Sequence, residues 1–292
     1  MHRLVRLVAL VLCLLLPLLA SAGQSPRMHR FLPADGLPSR QVLQLAQDSR
    51  GYVWAATADG LARLDGTGIR VWRHDPSDPA SLPLNYIESL AIDDQDRVWV
   101  GTNGLGVVRL RRDGSGFERF EEINKTCGFQ VWSMAWMDDQ LWLGGNRSGL
   151  CLVDRLGNIQ RITAGTQPGQ LPNGQIYALR ADPRGRMWIG TGAGLFRWEG
   201  GQLYPVAAAQ LSDVVITRIS LDRDGRLWVS SNEHLWQLRV SDEQLTEVTV
   251  NGQPLASTGV LQERDGTVWL GSVAGLYLQR QGEPQLLTGG AV

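Results

Sequence analysis

The side chains with chemistry to offer are few and dispersed. Arg40, Asn85, Tyr86, Gln130, Asn146, Arg147 and Gln175 combine hydrogen-bonding and stacking groups of the kind that line a small-molecule site. Arg147 is the sharpest of them, a guanidinium suited to a carboxylate, a phosphate or a sugar hydroxyl. No nucleophile elbow, zinc motif, kinase loop or redox cysteine pair occurs, so no catalytic residue is assigned and the chain is read as non-enzymatic. His74 and His234 fall in loops, and neither has the paired spacing that a metal needs. Asp48, Asp182, Asp222 and Asp265 neighbour Gly51, Gly185, Gly225 and Gly266, but each turn offers too few converging oxygens for calcium. These aspartates are expected to bind turn amides, while the glycines supply positive φ. The TGAG run at 191–194 precedes a strand where a phosphate cradle would open a helix, so no nucleotide or other cofactor is expected. Cys127 and Cys151 could form a disulfide or remain two thiols; spacing does not decide. With 28 basic against 29 acidic side chains and Lys125 the one lysine, no nucleic-acid partner is expected.

The first 22 residues stand apart from this chemistry. Arg3 and Arg6 precede an apolar run over 7–20 and the small-residue sequence Ala20-Ser21-Ala22. This pattern predicts a secretory signal cleaved after Ala22, or alternatively an uncleaved anchor. Either places the body of the chain, 23–292, in the periplasm or outside the cell. No other segment resembles a membrane span.

The elements that must position these groups are set by a repeat. Tryptophan recurs at 54, 99, 142, 188, 228 and 269, with spacings of 45, 43, 46, 40 and 41 residues. An acidic or glycine turn precedes each, as in DSRGYVW and DRDGRLW, and a second turn follows, as in VGTNGLG. Each unit thus holds several short antiparallel strands; in the first these are 42–47, 52–56, 61–64 and 70–73. Four such strands make one blade, so the fold class is all-β, a β-propeller with blades at about 39–74, 84–121, 129–163, 174–207, 214–250 and 257–288. Trp54, Trp99, Trp142, Trp188, Trp228 and Trp269 are expected to pack between blades. Trp72, Trp132, Trp136, Trp198 and Trp236 break the repeat, and one or two of them could face a ligand. Residues 29–32 look like a closing strand for a seventh, unseen blade, which favours a seven-bladed ring over a six-bladed one and predicts an exposed edge. Strand alternation puts the turns after the second strand and the connectors between blades at one end, the candidate ligand face.

The repeat form D-x-x-G-x-x-W-x-G-T followed by x-x-G-L resembles the two-component regulator propeller repeat. DPRGRMWIGTGAGLFRW carries it most clearly, the units at Trp54, Trp99 and Trp269 carry it well, the unit at Trp142 less so, and SSNEHL after Trp228 departs from it. In that family such propellers form the periplasmic sensory region of membrane-bound histidine kinases or diguanylate cyclases. The resemblance therefore implies an input module for a small-molecule or carbohydrate ligand, with the signalling output carried by other sequence, and with a membrane signalling protein or self-association as partner. The alternatives are a structural or protein-interaction propeller and, behind it, an axial-site lyase or hydrolase.

Overall fold

The computed structural model describes residues 28–146, 149–165, 170–280 and 282–289. The expected signal segment, 1–22, and Arg147 lie outside them. The chain divides into a short unit, Met1–Leu32, and the body, Pro33–Val292. In the short unit residues 29–32 form no strand, which corrects the expected closing strand. The reason is in the body, where every blade already has four strands and none is left short of one.

Blade 1 consists of β1 (Val42–Gln47), β2 (Val53–Thr57), β3 (Gly60–Leu64) and β4 (Ile69–Trp72). Blade 2 consists of β5 (Ile87–Ile92), β6 (Val98–Thr102), β7 (Val107–Leu110) and β8 (Phe117–Arg119). A helical turn, Glu121–Cys127, leads to blade 3, with β9 (Val131–Met137), β10 (Gln140–Gly145), β11 (Leu150–Asp154) and β12 (Ile159–Ile162). Blade 4 is β13 (Ile176–Ala181), β14 (Met187–Thr191), β15 (Gly194–Glu199) and β16 (Gln202–Val206). Blade 5 is β17 (Arg218–Leu221), β18 (Leu227–Ser230), β19 (Leu235–Arg239) and β20 (Gln244–Glu247). A two-stranded ribbon, β21 (Thr249–Val250) and β22 (Gln253–Pro254), intervenes where blade 5 was expected to run on to residue 250. Blade 6 is β23 (Gly259–Gln262), β24 (Val268–Ser272), β25 (Gly275–Gln279) and β26 (Gln285–Gly289). Each sheet runs in sequence order, and the first strands of successive blades touch, so the six blades form a ring, a six-bladed β-propeller.

The repeated tryptophans explain how blades stack. Side chains alternate across a pleated strand, so Trp54 and its counterparts share one flank of their blades. Trp54 packs with Leu90, Val98 and Val100 of blade 2, and Trp99 packs with Leu141 and Leu143 of blade 3. Trp142 lies against Leu179 and Ile189, Trp188 against Leu227 and Val229, and Trp228 against Val268 and Leu270. Three strand glycines serve the same junctions through close approach. An added Cβ at Gly101 would meet Val131 Cβ at 3.0 Å and at Gly144 the Ile176 Cγ2 at 2.5 Å, both on the next blade, and at Gly190 the Ile216 oxygen at 2.7 Å, in the connector leading into it.

The series stops at Trp269. No apolar cluster among the described residues joins blade 6 to blade 1. Leu261 on the Trp269 flank is 65% exposed, and Leu45 on the opposite flank of blade 1 is 61% exposed. Gly271 agrees, since the three atoms nearest to an added Cβ there belong to Thr258 and Gly259 beside it. Blade 1 is instead partly sealed by Leu37, which packs with Ala55 and Ala62. The ring thus has five sealed junctions and one bare seam.

Five of the six indoles also donate a hydrogen bond to a carboxylate six residues earlier: Trp54 to Asp48, Trp99 to Asp93, Trp188 to Asp182, Trp228 to Asp222 and Trp269 to Glu263, at 2.8–3.1 Å. Blade 3 has a shorter turn, position 136 is tryptophan, and the buried Trp142 Nε1 has no partner. Burial, the largest influence on Asp182, works to raise its pKa. Hydrogen bonds from Arg186, Trp188 Nε1 and the Arg184 and Arg186 amides outweigh it and hold the carboxyl below its ordinary value. Asp93 is held low by the same balance, with Trp99 and Arg97 as donors. The unfolded chain therefore takes up these protons first. Stability is expected to be full above about pH 4 and to be lost as pH falls through the lower folded-state values. Urea unfolding at pH 7, 4 and 3 checks this, and Asp182→Asn should flatten the acid limb.

Of the two cysteine states left open by the sequence, the disulfide is present. Cys127, at the end of the helical turn, is bonded to Cys151 in β11, with Cα atoms 5.6 Å apart.

Candidate ligand site

One end of the propeller is knitted by its turns. The turn between the second and third strand of a blade bonds the connector into the next, Gly60 N to Asn85 O at 2.9 Å, Gly104 N to Phe129 O at 3.0 Å and Gly149 N to Gly174 O at 3.1 Å, or the connector that enters its own blade, Asn103 N to Tyr86 O at 3.3 Å and Gly192 N to Gln175 O at 3.2 Å. The expectation that these turns and connectors share an end is met. Several of the polar side chains singled out in the sequence are consumed by this knitting. Asn85 accepts from the His74 amide at 2.7 Å and donates to Asp59 at 3.0 Å. Asn146 donates to Gln130 Oε1 at 3.0 Å. Asn173 accepts from the Gln175 amide at 3.1 Å, forming a local turn. Tyr86 is half-buried and Arg40 is exposed ahead of β1.

The structure brings a different group together on the innermost strands. Neighbouring inner strands are stitched by side chains: Gln44 bonds both the amide and carbonyl of Leu90, and Ser89 Oγ donates to Val131 O at 2.8 Å. Just before these positions β1, β5, β9 and β13 each shift register, which leaves Leu43, Glu88, Trp132 and Tyr177 without a cross-strand partner. Such a bulge re-aims the side chain of the extra residue. Thr217 and Thr258 hold the matching positions in blades 5 and 6. Around the bore the order is therefore aliphatic, acid, aromatic, aromatic, hydroxyl, hydroxyl. Trp132 and Tyr177 stack, with ring centroids 5.1 Å apart and planes at 22°.

The charges on these strands are few and unusual. Glu88, Arg180 and Arg218 are the charged residues of the six inner strands, and none forms an ion pair among the described residues. Arg218 reaches past blade 6 to blade 1, where its Nη1 donates to the bulge carbonyl of Leu43 at 3.3 Å. Burial pushes the Glu88 carboxyl up, and desolvation pulls the Arg180 and Arg218 guanidiniums down. Both arginines nonetheless keep exposed surface, as side chains do when protein crowds them within an open bore. Unpaired, desolvated charges beside an aromatic stack are the marks of a binding site. Of this group the sequence signalled Trp132, as a tryptophan outside the repeat. A separate hollow of about 560 Å³, lined by Asp265, Thr267, Leu278, Arg280, Glu283 and Gln285, is wide open on blade 6. No three side chains among the described residues converge as metal ligands.

Comparison with known proteins accounts for the repeat. The model of the two component regulator propeller family matches residues 36–59, 81–104, 170–193 and 210–233, each span covering the first two strands and the following turn of blades 1, 2, 4 and 5. Four of the six blades match that repeat. Blade 5 is matched despite SSNEHL, whereas blade 6, whose sequence follows the pattern well, is outside the matched spans. Histidine kinase P4 of Formosa agariphila is 38% identical over 52 residues, 18% of this chain and 4% of the kinase. The extracellular domain of the hybrid two component system BT4673 from B. thetaiotaomicron superposes with a TM-score of 0.66 at 22% identity, over 84% of this chain and 33% of that one. Virginiamycin B lyase from Staphylococcus aureus superposes with a TM-score of 0.65 at 11% identity, over 85% of each chain. At these identities the two structures share the fold alone. This propeller spans only a small part of the kinase and about a third of the BT4673 domain. No helix among the described residues is long and apolar enough to cross a membrane.

Proposed function

We propose that this propeller is the periplasmic ligand-sensing module of a signalling receptor of the two-component or diguanylate cyclase type. The observation that carries this reading is the set of two-component regulator propeller repeats on four blades. The extracellular placement of the BT4673 propeller and the leader-like first 22 residues support it. In this reading the propeller binds and does not catalyse, and the conformational output is delivered by a kinase or cyclase in other sequence. The test is a chimaera in which this propeller replaces that of BT4673 ahead of its native membrane and output segments. Output that changes when soluble extracts of the growth medium are added supports sensing. Constant output from a folded, exported chimaera across all extracts defeats it.

A second reading, a protein-interaction propeller, is favoured by the bare seam, where Leu45 and Leu261 are each more than half exposed. It predicts a stable complex retained through size-exclusion chromatography and lost on Leu45→Asp.

A further inference from the structure

The order of side chains around the bore is polar in direction as well as in kind. Glu88 on blade 2 and Arg218 on blade 5 stand on either side of the Trp132–Tyr177 stack of blades 3 and 4. The acid makes no hydrogen bond or ion pair among the described residues, and the base makes one, to a neutral carbonyl. They do not neutralise each other. Neither charge has a counter-charge among the described residues, and the protein keeps one of each sign at the start of its inner strands, where a ligand can reach both.

We propose that the mouth of the bore binds a small zwitterion, a molecule with an amine and a carboxylate on a flat or apolar body, such as a short peptide with free ends. Its ammonium pairs with Glu88, its carboxylate with Arg218, and its body lies against the Trp132–Tyr177 stack. The aromatic faces also favour the ammonium through the ring quadrupole, and a guanidinium presents a fork that fits a carboxylate. A ligand with a single charge would leave the opposite protein charge unpaired, so the site discriminates by requiring both. The remaining inner-strand charge, Arg180, lies three residues beyond Tyr177 on β13. This inference rests on the reading of the propeller as a ligand-binding module and gives that module a ligand class.

The experiment uses the whole exported chain and the dipeptide Ala-Phe as probe, read by tryptophan fluorescence and calorimetry. Capping either end of the dipeptide, by N-acetylation or by amidation, is expected to weaken binding about tenfold or more, the loss of one charge-assisted contact. Glu88→Gln should weaken the free dipeptide and abolish the penalty of acetylation, while leaving the penalty of amidation. Arg218→Gln should do the reverse. Trp132→Ala should remove most of the fluorescence response, and circular dichroism of each variant confirms folding. Absence of Ala-Phe binding at millimolar concentration overturns the proposal, as does binding that capping or Glu88→Gln leaves unchanged. A neutral sugar or a simple anion that binds in a Trp132-dependent way, with Ala-Phe inert, overturns the zwitterion while leaving the sensing module intact. Constant output from the chimaera defeats sensing while leaving the zwitterion site intact.

Discussion

Trp188→Ala should destabilise the propeller by about 3–5 kcal/mol, the cost of emptying a large buried aromatic site. Trp188 is 0% exposed, sealed by blade 5 on one side and donating to Asp182 on the other. The guanidiniums of Arg186 and Arg197 lie 5.3 and 5.9 Å from its ring, so truncation also removes their cation–π partner. The same substitution at Trp269 should cost less, about 1–2 kcal/mol, because no apolar cluster covers its flank and the residue is only partly buried. Denaturant titration of both variants, followed by near-ultraviolet circular dichroism, gives the contrast directly. Equal losses at the two positions would mean that the Trp269 flank is covered in solution and that the seam is closed.

Removing the Cys127–Cys151 bond should cost about 3 kcal/mol, the loop-closure value for a link across 24 residues. Alanine is the replacement of choice, since Cys151 is 1% exposed and a serine would bury an unpaired hydroxyl. The double variant Cys127→Ala/Cys151→Ala, and the unmodified protein under reductant, should both melt roughly 6–10 °C lower. A melting temperature that reductant leaves untouched would remove the bond from the stability of the fold. Blade 3, which holds the bridge, is also the blade whose indole lacks a carboxylate partner. Losing the bridge should therefore open blade 3 before its neighbours, with hydrogen exchange rising first in β10 and β11.

The architecture was legible because blade stacking imposes the same demand every time the chain returns to the axis. A tryptophan at a spacing of 40–46 residues has no other simple cause, and the expected strand 42–47 matches β1 residue for residue. The strand glycines were harder to understand. At Gly101, Gly144 and Gly190 the need is room for the next blade, and spacing alone does not separate that from a turn requirement. The indole–carboxylate bond was missed for a related reason, since Asp48, Asp182 and Asp222 do bind turn amides as expected and spend their second oxygen on the tryptophan. The closing strand failed because a short β-like stretch needs an open sheet edge, and none of the six blades offers a vacancy for a fifth strand. The bore residues were illegible for a geometric reason. Glu88 and Tyr177 are ordinary strand residues in the sequence, and only the register shifts in β5 and β13 distinguish them from their neighbours.

The missing junction between Trp269 and Leu45 turns a circle into a line. In a sealed ring each blade is held from two sides, and no blade can leave without breaking two junctions. Here no apolar junction joins blades 1 and 6, and Arg218 ties blade 1 to blade 5 by a hydrogen bond to Leu43 O, so the molecule approximates a row of coupled units whose free energy is largely a sum over nearest neighbours. Opening should begin at the two termini and travel inward, with blades 3 and 4 the last to exchange their amides. A molecule built this way can convert an event at one end of the row into a change of spacing at the other. Whatever comes to rest on the bare flank would lock the row shut and restore the double support of every blade at once.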